Sequence, residues 1–245
     1  MFDKYIPLFE RSDWPIILRP LWSQYFFENI PDEKKTDSWY SQKKAWLQLV
    51  IDLLAKKQIY IDPTGTNDDK TREKIDTVVI HHSYSKGEVM EKSNSEIVSW
   101  INALQLIRLY ADYYSNSGLD ESGQLTYSEF NKPIFSGHFL NEEQTFIAYH
   151  WLVFPDGGSM QTLKDEYVGW HAGKINAKSI AICLVGDFSQ VPPSSQMLVS
   201  VNQIIEIYKS KYKISKILGH GEIMNTECPG KTFYGDNGWK RNLCN

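Results

Sequence analysis

The sequence predicts an α/β fold, with a central mixed β-sheet flanked by helices and a helical extension at the amino terminus. Two observations predict the sheet. Short β-branched and aromatic runs alternate with amphipathic stretches after residue 72, the pattern of strands separated by helices. The runs at 146–154 and 179–185 are rich in apolar, β-branched and aromatic residues, as central strands covered on both faces are. A third observation predicts the extension: before residue 62 apolar side chains recur at helical spacing instead. The division expected is therefore a helical extension over 1–62 and a main domain over 72–245, with a helix and loop inserted at 85–145.

Each element has its own signal. Trp46, Leu47, Val50, Ile51 and Leu54 form one helical stripe between Lys43 and Lys57. Trp14, Trp22, Tyr25, Phe26 and Phe27 precede it without any chemical motif, and packing against the main domain is the plain expectation for them. Residues 62–69 are a turn-rich polar link. The run Thr77-Val78-Val79-Ile80 reads as a strand that delivers His81-His82-Ser83 at its carboxyl end. Ser93 followed by Glu96 is a capping-box pattern opening a helix, and Ile97, Ile101, Leu104 and Ala111 continue its apolar face. A polar loop is expected over 115–138. Residues 146–154 and 179–185 read as two further strands. Pro192-Pro193 precede a helix with Met197, Val201, Ile204, Ile205 and Tyr208 on one face, and a last short strand is expected over 214–218.

Composition narrows the function. With 42% apolar and 13% aromatic residues the chain is of folded, globular type. A net charge of -4 with scattered Lys and Arg gives no basic face for nucleic acid. The longest apolar runs are far too short to span a bilayer. Met1-Phe2-Asp3-Lys4-Tyr5 shows no secretory signal, and three cysteines cannot all pair. Synthesis in a reducing compartment is expected, with release to a cell wall by a non-classical or lytic route left open.

The candidate chemistry is a metal site. His220 and Cys228 flank a short loop that can fold both onto one cation, and His81 at a strand end is a third candidate ligand. Three protein ligands and one open position suit a catalytic zinc, and nitrogen with thiolate donors favours zinc over magnesium or calcium. On spacing alone, a buried histidine and an inert thiol are the more common reading.

The order of motifs carries more. It runs Val79-Ile80-His81-His82-Ser83, Ala148-Tyr149-His150-Trp151, Gly169-Trp170-His171-Ala172-Gly173, then Asn176 with 179–187, then Gly219-His220-Gly221-Glu222 and Thr226-Glu227-Cys228-Pro229-Gly230. From His81 to Phe233 this order resembles the zinc amidases of the peptidoglycan recognition protein and phage-lysozyme type, the N-acetylmuramoyl-L-alanine amidases. The resemblance implies that fold, with Zn2+ held by His81, His220 and Cys228. It implies a catalytic role for Tyr149 and Thr226, and substrate contacts from Trp170 and His171. His81 is taken over His82 because neighbours on a strand point to opposite faces. Phage-type members carry lysine where Thr226 stands, so the proton donor to the leaving amine is not assigned. Glu222 is a candidate partner for a metal histidine, Cys183 a small core residue, and His150 lies outside the site.

The activity implied is hydrolysis of the amide between N-acetylmuramic acid and L-alanine in peptidoglycan or muropeptides by a zinc-activated water. The alternatives are a non-catalytic peptidoglycan-binding module and a structural zinc domain with His82 or His150 as fourth ligand. Segment 84–145 is expected to form a wall or lid of the groove, and the chain is expected to be a monomer.

Overall fold

A computed structural model describes residues 2–28, 30–62, 67–115, 118–119, 125–126 and 136–244. The chain divides into two compact units, one of residues 1–67, 98–138 and 143–146, the other of 68–97, 139–142 and 147–245. Part of the polar link, 63–66, and most of the loop expected over 115–138 lie outside the described residues.

The first unit is built on helices α1 (Ile6–Phe9), α2 (Trp14–Trp22) and α3 (Asp37–Ala55). Thr36 caps α3, its side chain accepting from the Trp39 amide at 3.3 Å. The buried stripe of α3 is Trp46, Leu47, Val50 and Leu53, with Ile51 and Leu54 at its margin. Trp22 packs on this stripe through Trp46, and Phe9 and Trp14 pack on Trp22, all three fully buried. Trp22 meets Phe9, Trp14 and Trp46 at ring separations of 5.8–6.1 Å, and Trp14 donates its indole N–H to the Tyr60 carbonyl at 2.8 Å. The early aromatic residues thus furnish this unit with a core of its own. Truncating the central ring, Trp22→Ala, should destabilise the unit by about 3–5 kcal/mol; urea unfolding followed by tryptophan fluorescence measures it.

Helix α4 (Asn94–Gln105) opens with the expected capping box. The Ser93 amide donates to Glu96 Oε2 at 3.0 Å and the Glu96 amide to Ser93 Oγ at 3.4 Å. The chain continues through a π-helical turn, Leu106–Ala111, into α5 (Asp112–Ser115), where Arg19 forms an ion pair with Asp112. Two short ribbons follow, β2 (Gly118–Leu119) with β3 (Leu125–Thr126), and β4 (His138–Leu140) with β5 (Glu143–Thr145).

The second unit holds a mixed sheet in the order β7–β6–β8–β1–β9. Its strands are β1 (Thr77–His82), β6 (Trp151–Val153), β7 (Ser159–Gln161), β8 (Ser179–Leu184) and β9 (Lys216–Gly219). β8, β1 and β9 run parallel, β6 joins β8 in parallel, and β7 closes the edge antiparallel. Alternation along the strands separates two faces. Val78, Ile80, Ile180, Ile182 and Leu184 pack with Met197, Val201, Ile204, Ile205 and Tyr208 of α6 (Ser195–Lys211). His81, Ser179, Ala181 and Cys183 take the opposite face, His81 standing directly across from Cys183.

One expected strand is shorter than its hydrophobic run. Of 146–154 only Trp151–Val153 pairs as β6. The reason is His150, whose ring interrupts the ladder: its Nδ1 accepts from the Ala181 amide at 3.1 Å while its own amide donates to the Ala181 carbonyl at 3.0 Å. Among the described residues no helix is long and apolar enough to cross a membrane.

Candidate active site

The polar face of the sheet and the loop after β9 assemble the site. β1 carries His81 to the sheet's end, fully buried. β9 ends at Gly219 and the chain turns at once, placing His220 on a 3-10 turn, Gly221 and Cys228 closing the loop that follows. The Gly221 amide donates to the Cys228 carbonyl at 2.7 Å and to Tyr234 Oη at 3.0 Å, and the Tyr234 hydroxyl donates to the same carbonyl. Gly221 is required here, because a Cβ would lie 2.4 Å from the Thr226 carbonyl oxygen and 2.5 Å from Tyr234 Oη. The loop therefore presents its two candidate ligands as one rigid piece.

His81, His220 and Cys228 each offer a ligand atom, and these atoms lie within 4.8 Å of one another. The His81 and His220 rings are 4.6 Å apart, and His81 Nδ1 is 3.8 Å from Cys228 Sγ. Burial, with His220 and His82 nearby, holds His81 well below the usual histidine range. Burial also lowers His220, so both rings are neutral and offer lone pairs. Burial pushes the Cys228 thiol up to about 11, against the stabilising His82 amide, which donates to its sulfur at 3.3 Å. A cation entering the cluster would have to displace that proton. Two imidazoles and one thiol are a donor set that suits zinc, and three protein donors leave a position for water.

His82 faces the other way. Its Nδ1 accepts from the Phe188 amide at 3.4 Å, its ring packs on Tyr84 and Phe188, and burial pushes its pKa down to about 4. His150 uses both nitrogens, Nδ1 on Ala181 and Nε2 toward the Tyr167 carbonyl at 3.0 Å. Neither is placed as a fourth ligand.

Tyr149 is half-buried beside the cluster, its ring 5.1 Å from that of His81. Its hydroxyl also interacts with the Cys183 thiol, which burial raises well above its ordinary pKa. Thr226 is exposed at the rim, its Oγ1 accepting from the Cys228 amide at 3.3 Å. Trp170 is half-buried on the loop leading to His171. His171 is buried, 3.0 Å from His81 Nε2 through its Nδ1 and 3.2 Å from Ser179 Oγ through its Nε2. Both of its nitrogens are thus engaged inside the protein.

Glu222 does not serve a metal histidine. Its carboxylate accepts from the Gly219 amide at 2.8 Å and pairs with Lys240 at 2.7 Å. The partner of His220 is Met224, whose Sδ lies 3.2 Å from His220 Nε2. A thioether only accepts, so a hydrogen bond here requires the Nε2–H form of His220. No sequence motif flagged Met224, and Ser179 stands in the 179–187 motif without a role assigned to it. Ser179 was detectable in principle, being two and four positions from Ala181 and Cys183 on one strand face.

Residues 71–231, more than half of the chain, match the family described as N-acetylmuramoyl-L-alanine amidase. Peptidoglycan-recognition protein LB of Drosophila melanogaster is 32% identical over 102 residues, 40% of this chain and 44% of that protein. Peptidoglycan-recognition protein SD of the same fly is 26% identical over 102 residues, 40% of this chain and 55% of that protein. The chain thus spans about half the length of these curated relatives. Among solved structures, the endolysin amidase LysCS of Clostridium intestinale URNW superposes with a TM-score of 0.50 at 17% identity, covering 76% of this chain and 94% of that one, a likeness of fold. By its matched length and by the fold that positions His81, His220 and Cys228, the chain belongs to the N-acetylmuramoyl-L-alanine amidase family.

Proposed function

We propose that the protein hydrolyses the amide between N-acetylmuramic acid and L-alanine in peptidoglycan or muropeptides, with zinc held by His81, His220 and Cys228. The observation that carries this reading is the convergence of those three ligand atoms within 4.8 Å beside Tyr149. When bound, zinc supplies a Lewis acid that acidifies water and polarises the amide carbonyl. The protein's own residues do the rest. The two neutral imidazoles and Cys228 fix the position of the reacting centre. Tyr149 donates its hydroxyl to the amide oxygen as that oxygen gains charge. Thr226 accepts from the Cys228 amide, which leaves its hydroxyl proton available to substrate at the rim. Trp170, half-buried on its loop, offers an apolar surface to sugar or peptide.

A binding module without turnover is the second reading, supported by the names of the recognition-protein relatives. Digestion of purified peptidoglycan with and without chelator separates the two. The expected result is new alanine amino termini without new reducing sugar ends, abolished by chelator and restored by zinc. Binding without cleavage would establish the module, and new reducing ends would point to a glycosidase.

A further inference from the structure

A chain of hydrogen bonds runs away from the cluster across the polar face of the sheet. His81 Nε2 is 3.0 Å from His171 Nδ1, His171 Nε2 is 3.2 Å from Ser179 Oγ, and Ser179 Oγ is 2.7 Å from the Ile175 carbonyl oxygen. The direction of every bond follows from the last one. A carbonyl has no proton, so Ser179 donates to it. A hydroxyl has a single proton, so Ser179 must accept from His171 Nε2–H. A neutral imidazole carries one N–H, so His171 Nδ1 is a bare acceptor. The proton between the two rings then belongs to His81 Nε2, which leaves the lone pair of His81 on Nδ1, the nitrogen 3.8 Å from Cys228 Sγ.

Both rings are buried and face one another at 3.0 Å, where a positive charge on either would lose its hydration. The supports of the chain are themselves fixed. Asn176 Oδ1 accepts from the His171 and Ala172 amides at 3.2 and 2.7 Å. Arg72 donates to the Asn176 and Ser179 carbonyls at 3.1 and 3.0 Å. The turn holding His171 and the start of β8 holding Ser179 are therefore tied to one guanidinium.

We infer that His171 and Ser179 form a relay that locks His81 in its Nε2–H tautomer and so presents Nδ1 to the metal. His171 is then a positioning residue for His81 rather than a substrate contact. The metal part of this inference rests on the proposed zinc site; the tautomer part does not. Partners of this kind typically change metal affinity by about 10–100-fold when removed.

Long-range proton–nitrogen NMR of histidine-labelled, zinc-free protein reads the tautomer directly, and chelator competition reads zinc affinity. In the unaltered chain His81 should show the Nε2–H pattern. Ser179→Ala and His171→Phe should give mixed or reversed tautomers and a zinc affinity lower by roughly tenfold to a hundredfold. His171→Gln, whose amide can accept from His81 and donate to Ser179, should recover most of that affinity. Loss of packing alone would lower the thermal midpoint of the zinc-free protein while leaving the tautomer intact, which would overturn the relay. So would an Nδ1–H pattern in the unaltered chain, or Ser179→Ala and His171→Phe chains keeping the original tautomer and affinity. An Nε2–H pattern that both substitutions disturb, in a chain that binds no zinc, would uphold the relay and reject the amidase reading.

Discussion

Cys228→Ser should give a folded chain that has lost both its zinc and its ability to release alanine amino termini from peptidoglycan. Serine is nearly the same size as cysteine, and the loop's own bonds, Gly221 N–H to the Cys228 carbonyl and the Tyr234 hydroxyl to the same atom, involve backbone at position 228. The fold should survive. What is lost is the one donor that can become an anion, because a serine hydroxyl stays protonated where a metal-facing thiol ionises. Complete four-ligand zinc sites hold about 10–16 kcal/mol. An even share is roughly 3 kcal/mol per ligand, so zinc affinity should fall by more than about a hundredfold. Activity should fall below detection at sub-saturating zinc, since the water and the amide carbonyl both depend on the ion. Zinc content by atomic absorption, circular dichroism and amino-terminus release together check it. A metal-free Cys228→Ser chain with full activity would end the zinc mechanism.

Tyr149→Phe is the second large effect, and its signature differs. The phenol ring stays packed 5.1 Å from His81, and only the hydroxyl goes. Removing one donor to a developing oxyanion costs about 3 kcal/mol, or roughly a hundredfold in kcat. KM and zinc content should be unchanged, because the hydroxyl acts as charge develops and is not a ligand. The Cys183 thiol loses a partner in this variant but retains its contact with the Leu184 carbonyl. A kcat within twofold of the unaltered chain would remove Tyr149 from the chemistry.

The parts of the fold legible in the sequence were those set by local periodicity. β1 and β8 are short runs dominated by apolar residues, the stripe of α6 repeats at helical spacing, and Ser93 with Glu96 announces α4. What periodicity cannot carry is the identity of partners. Nothing in residues 146–154 distinguishes a full strand from one interrupted at His150, because the interruption is made by a backbone amide on another strand. Glu222 sits at a reasonable spacing to serve His220, yet Gly219 and Lys240 take its carboxylate and a methionine two residues on takes its place. The motif around His171 admits either a substrate contact or a structural histidine, and the partners of its ring, which lie on β1 and β8, are not legible in it. The three clustered donors were reached through the order of motifs and not through their spacing, which more often belongs to an inert histidine and thiol.

The bonded loop between His220 and Cys228 has a consequence for the protein's endurance. Two of the three donors are already ordered before any ion arrives, so a bound ion adds one new connection, from that loop to the end of β1. By mass action the folded form then gains whatever free energy the ion has for this preformed cluster, about 4 kcal/mol when free zinc exceeds its dissociation constant a thousandfold. If zinc fills the cluster as proposed, the melting temperature becomes a function of the surrounding metal concentration, and starvation for the ion shortens the lifetime of the protein.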